Sequence, residues 1–267
     1  MPHLFTNRPR LASVGSTKRQ RSIDVRWEFA NALLYELGGV LFMVGSVFFF
    51  PSLEHLKDIG AWLFFVGSLV YLIVLLHDMV EVHRFWPKQK LSPSRTLEVV
   101  AIWAYLLGTI LFTVGSLLFL SWIDWVKIGA WTFVVGSALF VIGASVNVMM
   151  VIRASSLMTL QLMNLTAVMF VVGSGLFVVA SIPYLWEFES PAAKAQTLAF
   201  LAWLFLIGSG FFLVGGLFNH QRSRLVIRYR LDAIAKDEQA DERLLAFLRG
   251  EISEIDYRSS HPLPNGS

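Results

Sequence analysis

The chain reads as an all-α polytopic membrane protein, with six transmembrane helices arranged as three repeated helical hairpins. Three observations predict this. Hydrophobic side chains make up 55% of the 267 residues and charged ones 15%, with a mean hydropathy of +0.61, too apolar a balance for an ordinary soluble domain. Apolar runs of about 20 residues or more recur, enough to cross a hydrocarbon core. One phrase returns six times, as FMVGSVFF, FFVGSLVY, FTVGSLLF, FVVGSALF, FVVGSGLF and FLIGSGFF.

A basic tail, residues 1–30, comes first. Its opening stretch, 1–23, has arginines and no acid, a composition that also suits a targeting segment; a tail that fixes orientation and touches anionic lipid is the simpler account. The first hairpin, 31–84, supplies a span over Asn31 to Phe50, which crosses with Glu36 near one interface, and a second over Ile59 to Leu76. The second hairpin, 98–153, holds Val99 to Ile123 and Ile128 to Ile152. A third and divergent hairpin, 158–220, lies within Ala154 to Trp186 and Ala195 to Gln221. The tail over 221–267 mixes charge with apolar residues near helical spacing. An amphipathic helix leaving the membrane is expected there, with Arg222 to Arg230 at anionic headgroups and disorder beyond Ser259.

Charge orients the spans. Lysines and arginines in the two tails and in the second and fourth connections number 19, against Lys57, Lys127 and Lys194 in the other connections. The positive-inside rule then puts both termini in the cytoplasm, and an even number of spans requires them on one side. Trp122, Trp125, Tyr184 and Trp186 fall at the outer interface and Trp27, Phe85 and Trp86 at the inner one, as anchors.

The repeated phrase is a packing device. Aligned on Gly45, Gly67, Gly115, Gly136, Gly173 and Gly208, every copy has phenylalanine three residues before, serine one after, and phenylalanine or tyrosine four after. At 100° per residue, positions −7, −3, 0, +4 and +7 share an arc of about 80°. Holes at glycine therefore alternate with aromatic knobs along one stripe. Lipid tails are as apolar as phenylalanine, so helices in a bilayer associate by close fit, which small residues permit. The serines sit beside the stripe, each able to bond a carbonyl one turn earlier or a neighbouring helix. A phosphate loop is excluded, since the phrase lies mid-helix and lacks the lysine. Spacing between the glycines of a hairpin is 22, 21 and 35 residues, so the third has the longer outer loop.

Polar residues recur at depth. Asp78, Asn147 and Asn219 each lie eleven residues after the glycine of an even-numbered helix, about 16 Å along the axis. With Glu36 and His77 they form a polar cluster at the cytoplasmic end. Helix ends meeting water explain it simply; a proton-sensing or ion-binding mouth is the sharper reading, because ionisable groups in spans are costly. Cysteine is absent, which removes disulfides, thiolate metal sites and cysteine nucleophiles. The six histidines are scattered. No catalytic residues, cofactor, metal or nucleic-acid partner are expected.

The stretch IGAWLFFVGSLVYLI, Ile59 to Ile73, following LFMVGSVFF, resembles the YrhK-like domain, a short two-helix bacterial membrane unit. The resemblance covers the first two hairpins well and the third loosely. It implies a membrane-embedded hairpin repeat, in a bacterial cytoplasmic membrane, and carries no catalytic residues. The function expected is that of a noncatalytic structural or interaction protein, with lipid and a homo-oligomer as partners. The alternative is a small-solute or ion transporter or channel, proton-coupled, as internal repeats are common there.

Overall fold

The computed structural model describes residues 18–85, 93–150 and 157–236, with positions 246, 252, 253 and 256 beyond them. The apolar runs fold as α1 (Lys18–Val47), α2 (Lys57–Phe85), α3 (Pro93–Leu118), α4 (Val126–Met150), α5 (Leu157–Ser181) and α6 (Pro191–Lys236). Each holds a segment long and apolar enough to cross a membrane, giving six spans among the described residues. Residues 1–17 and the stretch beyond Ser259, read above as a targeting segment or tail and as disordered, lie outside the described residues.

Proline ends α1 and α5. Pro51 and Pro183 lack the N–H that would continue the helix, and the chain tightens there into 3-10 turns, Pro51–Leu56 and Ile182–Leu185. The α3–α4 connection is tighter still, with Asp124 at φ 52°, a left-handed conformation that aspartate tolerates better than most side chains. α6 runs 46 residues without a break, about 69 Å. The tail helix expected after Gln221 is therefore one rod with the last span.

Each hairpin packs on the next, and α1 packs on α6, so the helices close into a ring. At the hairpin end, Ser121 donates to Asp58 from its N–H (2.8 Å) and its hydroxyl (2.5 Å). Lys127 meets Glu187 at 3.4 Å, and Phe50 meets Trp203 edge to face at 5.3 Å. These contacts tie the first hairpin to the second, the second to the third, and the third back to the first.

Inside each hairpin the glycines receive rings from the partner helix. A Cβ on Gly45 would come within 2.7 Å of the Phe64 ring, and one on Gly67 within 3.3 Å of Phe42. Gly115 faces Phe133 and Gly136 faces Phe112 in the same reciprocal way. In both hairpins the ring comes from three residues before the partner's glycine. The third hairpin differs: Gly208 receives Phe177 and Gly173 receives Phe212, each four residues after the partner's glycine. The pairing has slid by seven residues, about 10 Å of helix.

The core shows which helix moved. Phe64, Phe133 and Phe205 of α2, α4 and α6 form a triangle of ring centroids 6.0, 6.1 and 6.4 Å apart. All three stand three residues before their glycines. A second triangle, with sides of 5.7, 6.3 and 6.4 Å, joins Phe42 of α1, Phe112 of α3 and Phe177 of α5. Here α5 contributes its +4 ring where α1 and α3 contribute their −3 rings. α5 alone is displaced by a heptad, toward the end that carries the termini. These six buried rings fill the axis of the bundle. Lipid would accept phenylalanine as readily, so what holds the rings inside is shape and ring-to-ring contact, about 0.5–1.5 kcal/mol per pair.

The serine beside the stripe faces a different seam. Ser46 and Ser209 meet across α1 and α6 with their hydroxyl oxygens 3.2 Å apart, and Ser46 also donates to the Phe42 carbonyl at 2.7 Å. Ser116 donates likewise to Phe112.

Candidate functional site

The stripe changes character two heptads from its glycines. Asn31 and Thr159 lie fourteen residues before theirs and Glu98 seventeen before; Asp78, Asn147 and Asn219 lie eleven after, and Arg222 fourteen after. All are buried, with Asp78 0%, Arg222 1% and Glu98 3% exposed. Every helix thus sends a polar side chain inward at the termini end. Continuing the Gly38–Tyr71 contact by one heptad puts Asn31 opposite Asp78 in the first hairpin.

Arg222 corrects the sequence reading, which held it at headgroups. Its Nε donates to Asn219 Oδ1 at 3.1 Å and its terminal nitrogen to Ser223 Oγ at 3.4 Å. A guanidinium one turn beyond Asn219 continues the inward stripe instead of leaving for solvent. Tyr184 also differs from its expected place: it turns inward onto Phe119 (5.6 Å) and Phe205 (6.3 Å), because the 3-10 turn folds back over the core.

Contacts of the residues grouped by sequence run along and across the helix seams. Glu36 accepts from His220 Nδ1 at 2.7 Å, across the α1–α6 seam. Arg224 Nε donates to His220 Nε2 at 3.1 Å, so the imidazole accepts at Nε2 and its proton belongs on Nδ1, toward the carboxylate. Phe29 sets its ring edge-on to His220 at 5.3 Å. His77 lies against Trp27, rings 4.2 Å apart. Asn147 donates to the Tyr105 hydroxyl at 3.1 Å within the second hairpin. Asp78 is in the inward layer, and Asn219 holds Arg222.

A guanidinium, an imidazole and a carboxylate therefore form one hydrogen-bonded chain from exposed Arg224 to half-buried Glu36. It gives a carboxylate inside a span a hydrogen-bond partner, and it joins the first helix to the last. Among the described residues, no group of three or more histidine and carboxylate side chains is placed to hold a metal ion.

Three hairpins around an aromatic axis, with one polar end, define an internally repeated integral membrane protein. The YrhK-like protein family model matches residues 25–82 and again 95–152, so the chain carries tandem YrhK-like units, one in each of its first two hairpins. Neither a curated protein nor a solved structure matches the chain.

Proposed function

We propose that this chain is a noncatalytic membrane protein that works by assembly, through its packed hairpins, with copies of itself or other membrane partners. The observation that carries the reading is the double triangle of Phe42, Phe112, Phe177 and Phe64, Phe133, Phe205, which occupies the axis where a conduit would run. In this reading both termini lie in the cytoplasm, following the placement of lysine and arginine. The bacterial membrane follows from the likeness to YrhK-like units, and the basic tails rest on anionic lipid.

Proton-coupled transport is the second reading. The Glu36–His220–Arg224 chain favours it, since it brings exchangeable protons into a span. Reconstitution in liposomes separates the two. Proton, cation and small-solute flux at the background of empty vesicles, together with cross-linked oligomers in native membrane, supports assembly. Specific flux abolished by Glu36→Gln overturns it.

A further inference from the structure

The displaced α5 leaves a groove at the outer end of the third hairpin. In the first two hairpins the outer end is closed by a ring against the glycine seven before the even-helix motif: Phe49 lies 3.5 Å from a Cβ on Gly60, and Phe119 3.0 Å from one on Gly129. In the third hairpin that position is Leu201, and the α5 ring that would meet it, Phe177, is already used one heptad deeper against Gly208. The next aromatic, Tyr184, turns inward. What remains between the end of α5, its 3-10 turn and the start of α6 is an apolar groove of 580 Å³. Its walls include Val179, Ile182, Pro183, Phe200 and Leu201, with Trp186, Gln196 and Thr197 also lining it.

We propose that this groove binds one acyl chain of a phospholipid from the leaflet at the hairpin end. Its walls belong to the two membrane spans, Leu157–Leu185 and Pro191–Leu225, and Val179, Ile182 and Phe200 are exposed to the outside of the bundle. An apolar recess open to the bilayer takes up chain, since water gains no hydrogen bonds there. The volume lies within the roughly 300–1,000 Å³ of sites that enclose most of a small ligand. Trp186 sets the mouth at headgroup depth, where indole partitions. Lys194 shares the helix face of Thr197 and Leu201, at i, i+3 and i+7, and is exposed one turn further out, on the headgroup side of the groove where a lysine can meet the lipid phosphate. Glu187 is engaged by Lys127 at 3.4 Å.

Native mass spectrometry of the purified full chain, titrated with phosphatidylcholine, tests this. Wild type is expected to retain one phospholipid that the groove-filling double variant Val179→Phe/Thr197→Leu holds about tenfold more weakly, the factor that losing about two buried methylenes would produce. Val168→Phe, a lipid-facing change elsewhere on α5, should retain it, and Lys194→Glu should weaken it. Should the filled variant misfold, brominated-chain phosphatidylcholine in nanodiscs gives a second reading: the quenching lost in Trp186→Phe is the signal of a chain at the groove. Equal retention by wild type and filled variant, no quenching assignable to Trp186, or a cross-linked second copy seated on these residues would each overturn the proposal.

Discussion

The first two hairpins and the third carry the same motif and use it differently. In hairpins one and two the −3 ring of each helix enters the glycine of its partner; in hairpin three the +4 ring does so, because α5 sits a heptad deeper. A seven-residue stripe of alternating holes and knobs nearly maps onto itself after such a step, so Phe170, Phe177 and Phe212 each still meet a glycine. The repeat therefore specifies a ladder of equivalent registers, and the connections choose the rung. The third hairpin's glycine spacing exceeds the second's by fourteen residues, enough chain for α5 to move while α6 stays level with α2 and α4.

The glycine-to-ring fit is crowded at Gly136. Gly136→Leu should destabilise the bundle by about 3 kcal/mol or more, since overpacking forces side chains and backbone to shift and a Cβ there already meets Phe112 at 2.8 Å and the Gly108 carbonyl at 3.1 Å. Unfolding in mixed micelles measures it; Gly175→Leu, with nothing within 4 Å of a Cβ, should be nearly silent. The register itself is sharpened by three alanine variants. Phe42→Ala and Phe177→Ala should each lose about 3 kcal/mol, although one is a −3 and the other a +4 position. Phe49→Ala, the repeat equivalent of Phe177, should lose about half as much, being only half-buried. Equal losses at Phe49 and Phe177 would place α5 in the register of α1.

A smaller effect tests the seam between the third hairpin and the first. Because the chain has no cysteine, Ser46→Cys/Ser209→Cys should form an intrachain disulfide, read as a gel-mobility shift, and stabilise the bundle by about 2 kcal/mol. Failure to oxidise would separate α1 from α6. The smallest effect is expected at the polar end of that seam, where Glu36→Gln should cost about 0.6 kcal/mol, the average of hydrogen bonds between helices in membranes. The same unfolding assay reads it against wild type.

Much of the architecture was legible. Apolar runs and the recurrence of the motif around Gly45, Gly67, Gly115, Gly136, Gly173 and Gly208 carry the spans and the hairpins, because period and length are local properties. The slide of α5 also left a trace in Leu201 at −7 and Gly215 at +7, where Gly215 receives Phe170, but a stripe with equivalent rungs does not announce which one is occupied. The polar layer was half legible. Asn147 and Asn219 stand inside apolar runs and Asp78 just past one, in matching positions that draw notice; Asn31, Glu98 and Arg222 stand at or beyond the ends of those runs and Thr159 near one, where polarity is ordinary. Following the heptad past the apolar boundary would have found them, since all continue the stripe. The Glu36–His220 pair was beyond reach, as 184 residues separate its members and only the closure of α1 on α6 brings them together.

That closure makes the order of the hairpins along the gene immaterial to the finished bundle. A chain opened at the connection between α2 and α3, with its old ends fused, would present every helix with the same two neighbours, and so would a bundle put together from separately expressed hairpins. The fold is in this sense a wheel without a first spoke, and duplication of a single hairpin could have built it by addition at either end.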